Sequence, residues 1–246
     1  MTELSKPMRI TLSAQILRQM EQCILSGSWQ TGQKIPGEME LMSQFGVSRN
    51  TVREAIQSLV YAGILQTRPG DGTYVLCRNR FDAALQSRLH AANLDEILET
   101  RLVLETDIVR FAALRHTPAE LEALHQALAD RDQPDLEKHQ FILADSAFHL
   151  KVAELCHNTL LYDMYRSMLV FLERLVEAYL FTSGFDRQLE EHSALYQAIV
   201  DRDAMQAMEI VRMLVASEQR TFHQADAQIA AKTKKVYSEN SLNQTI

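Results

Sequence analysis

The chain has 246 residues, 46% of them hydrophobic, and a formal net charge of −7; that length suits one large domain or two ordinary ones, with enough apolar material for a proper core. The charge is uneven: nine Lys and Arg against six Asp and Glu in residues 1–80 give +3, and the remainder carries −10, which places any phosphate-contacting surface in the first third and argues against one in the rest. Cys23, Cys77 and Cys156 are scattered and odd in number, which excludes a disulfide framework and a Cys-rich zinc site.

Met1 to Pro7 is polar, has no signal-peptide character, and is expected to fray with the rest of residues 1–9. Ile10 to Ser26 is expected to be a helix, with Ile16, Met20, Cys23 and Ile24 on one face and Gly27 as its stop. From Glu38 to Leu76 a short helix, a tight turn, a second helix and a hairpin follow one another. Gly46 can take the left-handed conformation that ends the first of these helices, and Ser48 is placed to cap the second. Val52, Ile56, Leu59 and Val60 recur at helical spacing and face inward, which leaves Arg49, Asn50, Arg53 and Gln57 outward with the two arginines one turn apart. Two apolar runs are then split by Pro69-Gly70-Asp71-Gly72, a hairpin signal. The order is that of a winged helix-turn-helix, whose second helix fits the DNA major groove and whose arginines can bond guanine edges in bidentate fashion.

The run Gly32-Gln33-Lys34-Ile35-Pro36-Gly37-Glu38, then Phe45-Gly46-Val47-Ser48-Arg49-Asn50-Thr51-Val52-Arg53-Glu54-Ala55-Ile56, then Gly63-Ile64-Leu65 and Gly70-Asp71-Gly72-Thr73-Tyr74-Val75, resembles the N-terminal domain of GntR-family transcriptional regulators. The resemblance covers the first third of the chain. It implies a bacterial, dimeric repressor or activator that binds a palindromic operator in double-stranded DNA and is released or retuned by a metabolite. Ser48, Arg49, Asn50, Thr51 and Arg53 are then the expected base-reading group, and the wing at Gly70 and Gly72 meets the backbone or the minor groove.

Cys77 to Ala92 reads as a polar connection that Phe81 and Leu85 could turn into a short helix. From Asn93 onward the pattern is helical throughout, with helices expected at about 94–115, 118–131, 135–156, 159–181, 185–201 and 203–228. Pro118 suits a first helical turn after Thr117, and Pro134 and Ser183-Gly184 mark breaks. The most apolar stretch, Met168 to Phe181, is interrupted by Glu173, Arg174 and Glu177, so no membrane span is expected and the protein is expected to be soluble and cytoplasmic. The expected organisation is mainly α: a winged helix-turn-helix domain at 1–78, a linker at 79–92, an all-helical effector-binding and dimerisation bundle at 93–230, and a polar, disordered tail at 231–246.

Periodicity places polar residues on the inward stripes of that bundle. Arg101 and Glu105 interrupt the seam of Leu94, Leu98, Ile108 and Ala112. Asp145 and His149 stand one turn apart in the stripe of Ile142, Val152 and Cys156. His192 lies between Leu189 and Tyr196. Buried charges are costly unless paired. One carboxylate and two imidazoles suit a borderline divalent metal such as zinc, with Arg101 left for an anion. The segments Leu98 to Glu105, Ala144 to His149 and Glu191 to Ile199 resemble the all-helical FCD domain of the FadR-type subfamily. Many members bind zinc or a similar ion through an Asp and three His, and a carboxylate metabolite completes the coordination. Asp145, His149 and His192 match the first three ligand positions; the fourth is Leu214 here, with Glu218 one turn on and His223 further along. The resemblance implies that Arg101, Asp145, His149 and His192 hold a small organic acid, a sugar acid or a related carboxylate. The rival reading is a metal-dependent enzyme using the same trio with an open coordination position, for which Glu105 is the only neighbouring candidate base.

Overall fold

A computed structural model describes residues 10–180 and 189–242, and its contacts divide the chain into two units, Met1–His90 and Ala91–Ile246. The first unit holds α1 (Leu12–Leu25), α2 (Glu38–Phe45), α3 (Arg49–Tyr61), the hairpin β1 (Leu65–Arg68) and β2 (Gly72–Val75), and most of α4 (Arg80–Ala91). α1 starts two residues later than the apolar pattern predicts, because the Thr11 hydroxyl accepts from the Ala14 N–H and so serves as the cap. Its Ile16, Met20 and Ile24 pack with Leu41, Val52, Ala55, Ile56, Leu59, Ile64, Leu65 and Val75 in one core, against which Val60 is only partly buried. Gly46 closes α2 at φ 65°, the left-handed conformation expected there. The strands are antiparallel, with Leu65 opposite Val75 and Arg68 opposite Gly72. The segment 32–35 also pairs along β2: Gly32 and Ile35 donate to the Val75 and Thr73 carbonyls, and Val75 donates to that of Gln33. The connection after the hairpin is the helix α4.

The second unit consists of α5 (Leu94–Arg115), α6 (Pro118–Arg131), α7 (Lys138–Leu155), α8 (Thr159–Leu180), α9 (Leu189–Val200) and α10 (Ala204–Leu242). α5 is its central helix and packs on α7, α8, α9 and α10. Asn93 and Glu96 start it with reciprocal bonds between side chain and backbone N–H. α7 begins at Lys138 rather than at 135, because Glu137 and Gln140 form the capping pair. The expected break at Ser183-Gly184 lies outside the described residues, as do residues 1–9. α10 runs on to Leu242, through a segment that its polarity marks as disordered. Alanines at 225, 227, 230 and 231 and the lysines that follow are strong helix formers, so propensity extends the helix past its last apolar turn. Among the described residues no helix is long and apolar enough to cross a membrane.

Leu59 is fully buried and Met39 is 69% exposed. Leu59→Ala is expected to lower the free energy of unfolding by about 2–5 kcal/mol, and Met39→Ala to change it by less than about 0.5 kcal/mol, both read from denaturant titrations.

Candidate functional site

In the first unit α3 presents its polar face to solvent. Ser48 caps it, accepting from the Thr51 N–H and pairing with the Thr51 hydroxyl at 2.8 Å. Arg49 and Arg53 are exposed, and Glu38 at the start of α2 reaches both, at 2.7 Å and 3.5 Å. Asn50 and Gln57 are exposed beside them. In the wing, Gly70 sits at φ 77°. Gly72 leaves room for the Lys34 side chain, whose Cε lies 2.2 Å from where a Cβ would stand. Lys34 pairs with Asp71 at 3.3 Å, the Tyr74 hydroxyl donates to Asp71, and the Arg68 guanidinium lies over the Tyr74 ring. The Tyr74 hydroxyl and then the Lys34 ammonium hold the Asp71 carboxyl below its ordinary range. Glu38, Lys34 and Arg68 were not singled out by sequence pattern, although Lys34 and Arg68 are the basic residues nearest the Gly-Asp-Gly turn.

In the second unit α7 and α9 bring Asp145, His149 and His192 together, with one ligating atom of each within 4.8 Å of the others. The two imidazole Nε2 atoms face each other at 3.2 Å, so one ring donates there and the other accepts. The Asp145 carboxylate lies 3.8 Å from His149 and 3.5 Å from His192. Phe148 packs edge-on against both rings. Asp145 also accepts from the Nε of Arg131 at 2.6 Å, and Arg131, 1% exposed, reaches Asp132 as well. Sequence reading overlooked Arg131, yet Leu124, Leu128 and Arg131 form an inward stripe that could have found it.

Arg101 lies on the same central helix as its partner Glu105 and is bonded to it at 2.7 Å. Its other nitrogens engage Glu218 of α10. Glu218 therefore goes to Arg101 and is not among the residues that gather around the histidines. The Tyr165 hydroxyl of α8 donates to Glu105 at 2.6 Å, a second partner the sequence reading missed. Arg101 is thus satisfied by two protein carboxylates, where the sequence reading left it open for a ligand.

Burial pushes the Glu105 carboxyl upward, but the charges of Arg101 and His149 and the Tyr165 and Arg101 hydrogen bonds outweigh it and hold the group below its usual range. For Asp145 burial is likewise opposed by His149, His192 and Arg131, with the same net lowering. Two imidazoles and a carboxylate converging on one point fit a divalent cation of borderline softness by donor type. Leu214, 3% exposed, contributes no donor, and Arg131 already holds one oxygen of the only anionic ligand.

Tyr165→Phe removes a buried donor at constant shape and is expected to cost about 1–3 kcal/mol at neutral pH. Because the folded pKa values of Glu105 and Asp145 are depressed, their contribution is present above the ordinary carboxylate range, about 4. It is lost as pH falls below that range through the depressed values. Thermal unfolding followed against pH should show this acid-side loss in the wild type and a flatter profile in Asp145→Asn.

Residues 12–75 match the model of the gntR family of bacterial regulatory proteins, and residues 96–217 match the FCD domain. The chain is 33% identical to a regulatory protein of Escherichia coli (strain K12) named for an L-lactate dehydrogenase operon, over 78% of this chain and 79% of that one. It is 30% identical to the HTH-type transcriptional regulator LutR of Bacillus subtilis (strain 168), over 75% of this chain and 89% of the relative. Among solved structures, a Streptococcus agalactiae GntR protein aligns with a TM-score of 0.50 at 26% identity, covering 85% of this chain and all of that one.

Proposed function

The chain belongs to the GntR family of bacterial regulatory proteins and carries an FCD domain, which makes it a transcriptional regulator and not an enzyme, and from that premise we propose how its two units divide the work. The first reads operator DNA through α3. Ser48 fixes the start of the helix; Arg49, Asn50, Thr51 and Arg53 face the major groove, where Arg bonds the O6 and N7 of guanine. The wing at Gly70 and Gly72 follows the backbone or the minor groove, with Lys34 and Arg68 beside it for phosphate. The observation that carries this reading is a capped helix with two exposed arginines one turn apart, next to a folded wing. A two-fold homodimer built on the helical unit would match half-sites of a palindromic operator, and repression is the output we assign to it.

The helical unit takes a small organic acid. Supporting this are the buried cations and imidazoles of four helices, and a relative named for an operon of L-lactate dehydrogenase, an enzyme of a small hydroxy acid. Asp145, His149 and His192 are the residues that would hold a zinc-like cation, which when bound would supply a Lewis-acidic contact for the acid's carboxylate. The chain's own contribution is positional: Phe148 packs edge-on against both rings and Arg131 orients Asp145.

Arg49→Ala is expected to weaken binding to the operator by about 1–3 kcal/mol and to blur preference at one base position per half-site; fluorescence anisotropy with operator and random duplexes measures both. An unchanged affinity for each duplex would remove Arg49 from the interface. Leu214→His supplies a fourth donor and is expected to raise zinc affinity at least tenfold in competition with a chromogenic chelator. An affinity equal to that of the wild type would mean that residue 214 does not face the trio.

A further inference from the structure

Arg101 is a buried cation whose Nε and both terminal nitrogens are already engaged by carboxylates. Its Nε donates to Glu105, and its two terminal nitrogens both reach one carboxylate, that of Glu218, with Nη2 at 3.3 Å from Oε1 and Nη1 against Oε2. This fork is the arrangement by which a guanidinium recognises any carboxylate. The two acids are not equivalent. Glu105 has a side chain 4% exposed, sits one turn along the same helix, and is also held by the Tyr165 hydroxyl. Glu218 is 23% exposed and arrives from α10, and among the described residues its hydrogen bonds go to Arg101 alone.

Charge counting decides what a ligand can do here. One guanidinium already faces two carboxylates, so a third, brought by a bound acid, would leave two uncompensated negative charges in a largely buried site, which is strongly unfavourable. Exchange keeps the count constant. Only Glu218 can leave cheaply, since it sits at the edge and its side chain is already partly in water, whereas Glu105 would give up two bonds and enter solvent through the bundle. Glu218 also lies one turn beyond Leu214 on α10, so this helix offers an acid to Arg101 where it offers only an aliphatic side chain at Leu214.

We propose that the outer edge of Arg101 is the carboxylate subsite of the ligand pocket, and that Glu218 fills it in the free protein as an internal surrogate which a small monocarboxylate displaces. The proposal rests on the reading that the helical unit binds a small organic acid. It adds a route for the signal, because the bond broken by exchange is one that ties α10 to α5. The ligand then carries the interaction with α5, and α10 is released at that level.

An internal competitor lowers apparent affinity by the fraction of time the site is open, so a surrogate in place nine-tenths of the time weakens binding about tenfold. The test is calorimetric titration of the full-length wild type, Glu218→Gln and Glu218→Ala with sodium acetate, sodium L-lactate and sodium D-gluconate. At least one acid is expected to bind both variants about tenfold or more tighter than the wild type. In the wild type, that acid is expected to speed hydrogen exchange of backbone amides in residues 210–224. Equal or weaker binding by both variants overturns the surrogate role while leaving acid binding by the unit intact. No binding of any acid by any of the three proteins overturns both together.

Discussion

Two buried guanidiniums set the terms on which the helical unit is assembled. Arg101 and Arg131 have side chains 5% and 1% exposed, and a cation removed from water is tolerated only when its whole donor set is met by acids and carbonyls at good geometry. Glu105, Glu218, Asp132 and Asp145 supply those acids from four different helices or their caps. Arg101 therefore fixes α10 against α5, and Arg131 fixes the end of α6 against α7. Tyr165 extends the first network to α8, and the Asp145 carboxylate passes the second to His149 on α7 and to His192 on α9. On the same helices Ile142, Val152, Leu195 and Ile199 are buried aliphatic side chains. The unit is thus a largely apolar bundle crossed by two linked sets of buried polar side chains.

Much of this was legible from spacing alone. The inward stripes of α5, α7 and α9 place Arg101, Glu105, His149 and His192 in the interior and Asp145 at its edge, because helical period determines which way a side chain faces. Ser48, Gly46 and the Gly-Asp-Gly turn were readable because each has one local conformation that it favours. What spacing could not provide was the partner across a helix pair. Arg131 faces inward by period, but that it ends on Asp145 depends on how α6 crosses α7. Glu218 stands one turn beyond Leu214 by register, near the expected metal position, and only the packing of α10 on α5 sends it to Arg101. The pairing of residues 32–35 with β2 has no alternating pattern to announce it, since so few residues take part. The length of α10 was missed for a different reason: composition that lacks an apolar face reads as disorder even where its residues are good helix formers.

The arrangement at Glu38 is easy to pass over, because an acid in a helix's first turn is ordinarily accounted for by the dipole. Here it also stands between Arg49 and Arg53 on the neighbouring helix, and it carries a charge that a phosphate backbone repels. A regulator must search a chromosome in which nearly every site is wrong, held to each by the same unspecific attraction of cations for phosphate. An acid beside arginines proposed to read bases would weaken that attraction everywhere, while at a guanine edge the arginines would gain directed bonds that offset it. The residence time on wrong sequence would then shorten more than that on the right one. If Arg49 and Arg53 read base edges as proposed, the carboxylate of Glu38 would act on the speed and discrimination of the search, quite apart from any part it plays in holding α2 against α3.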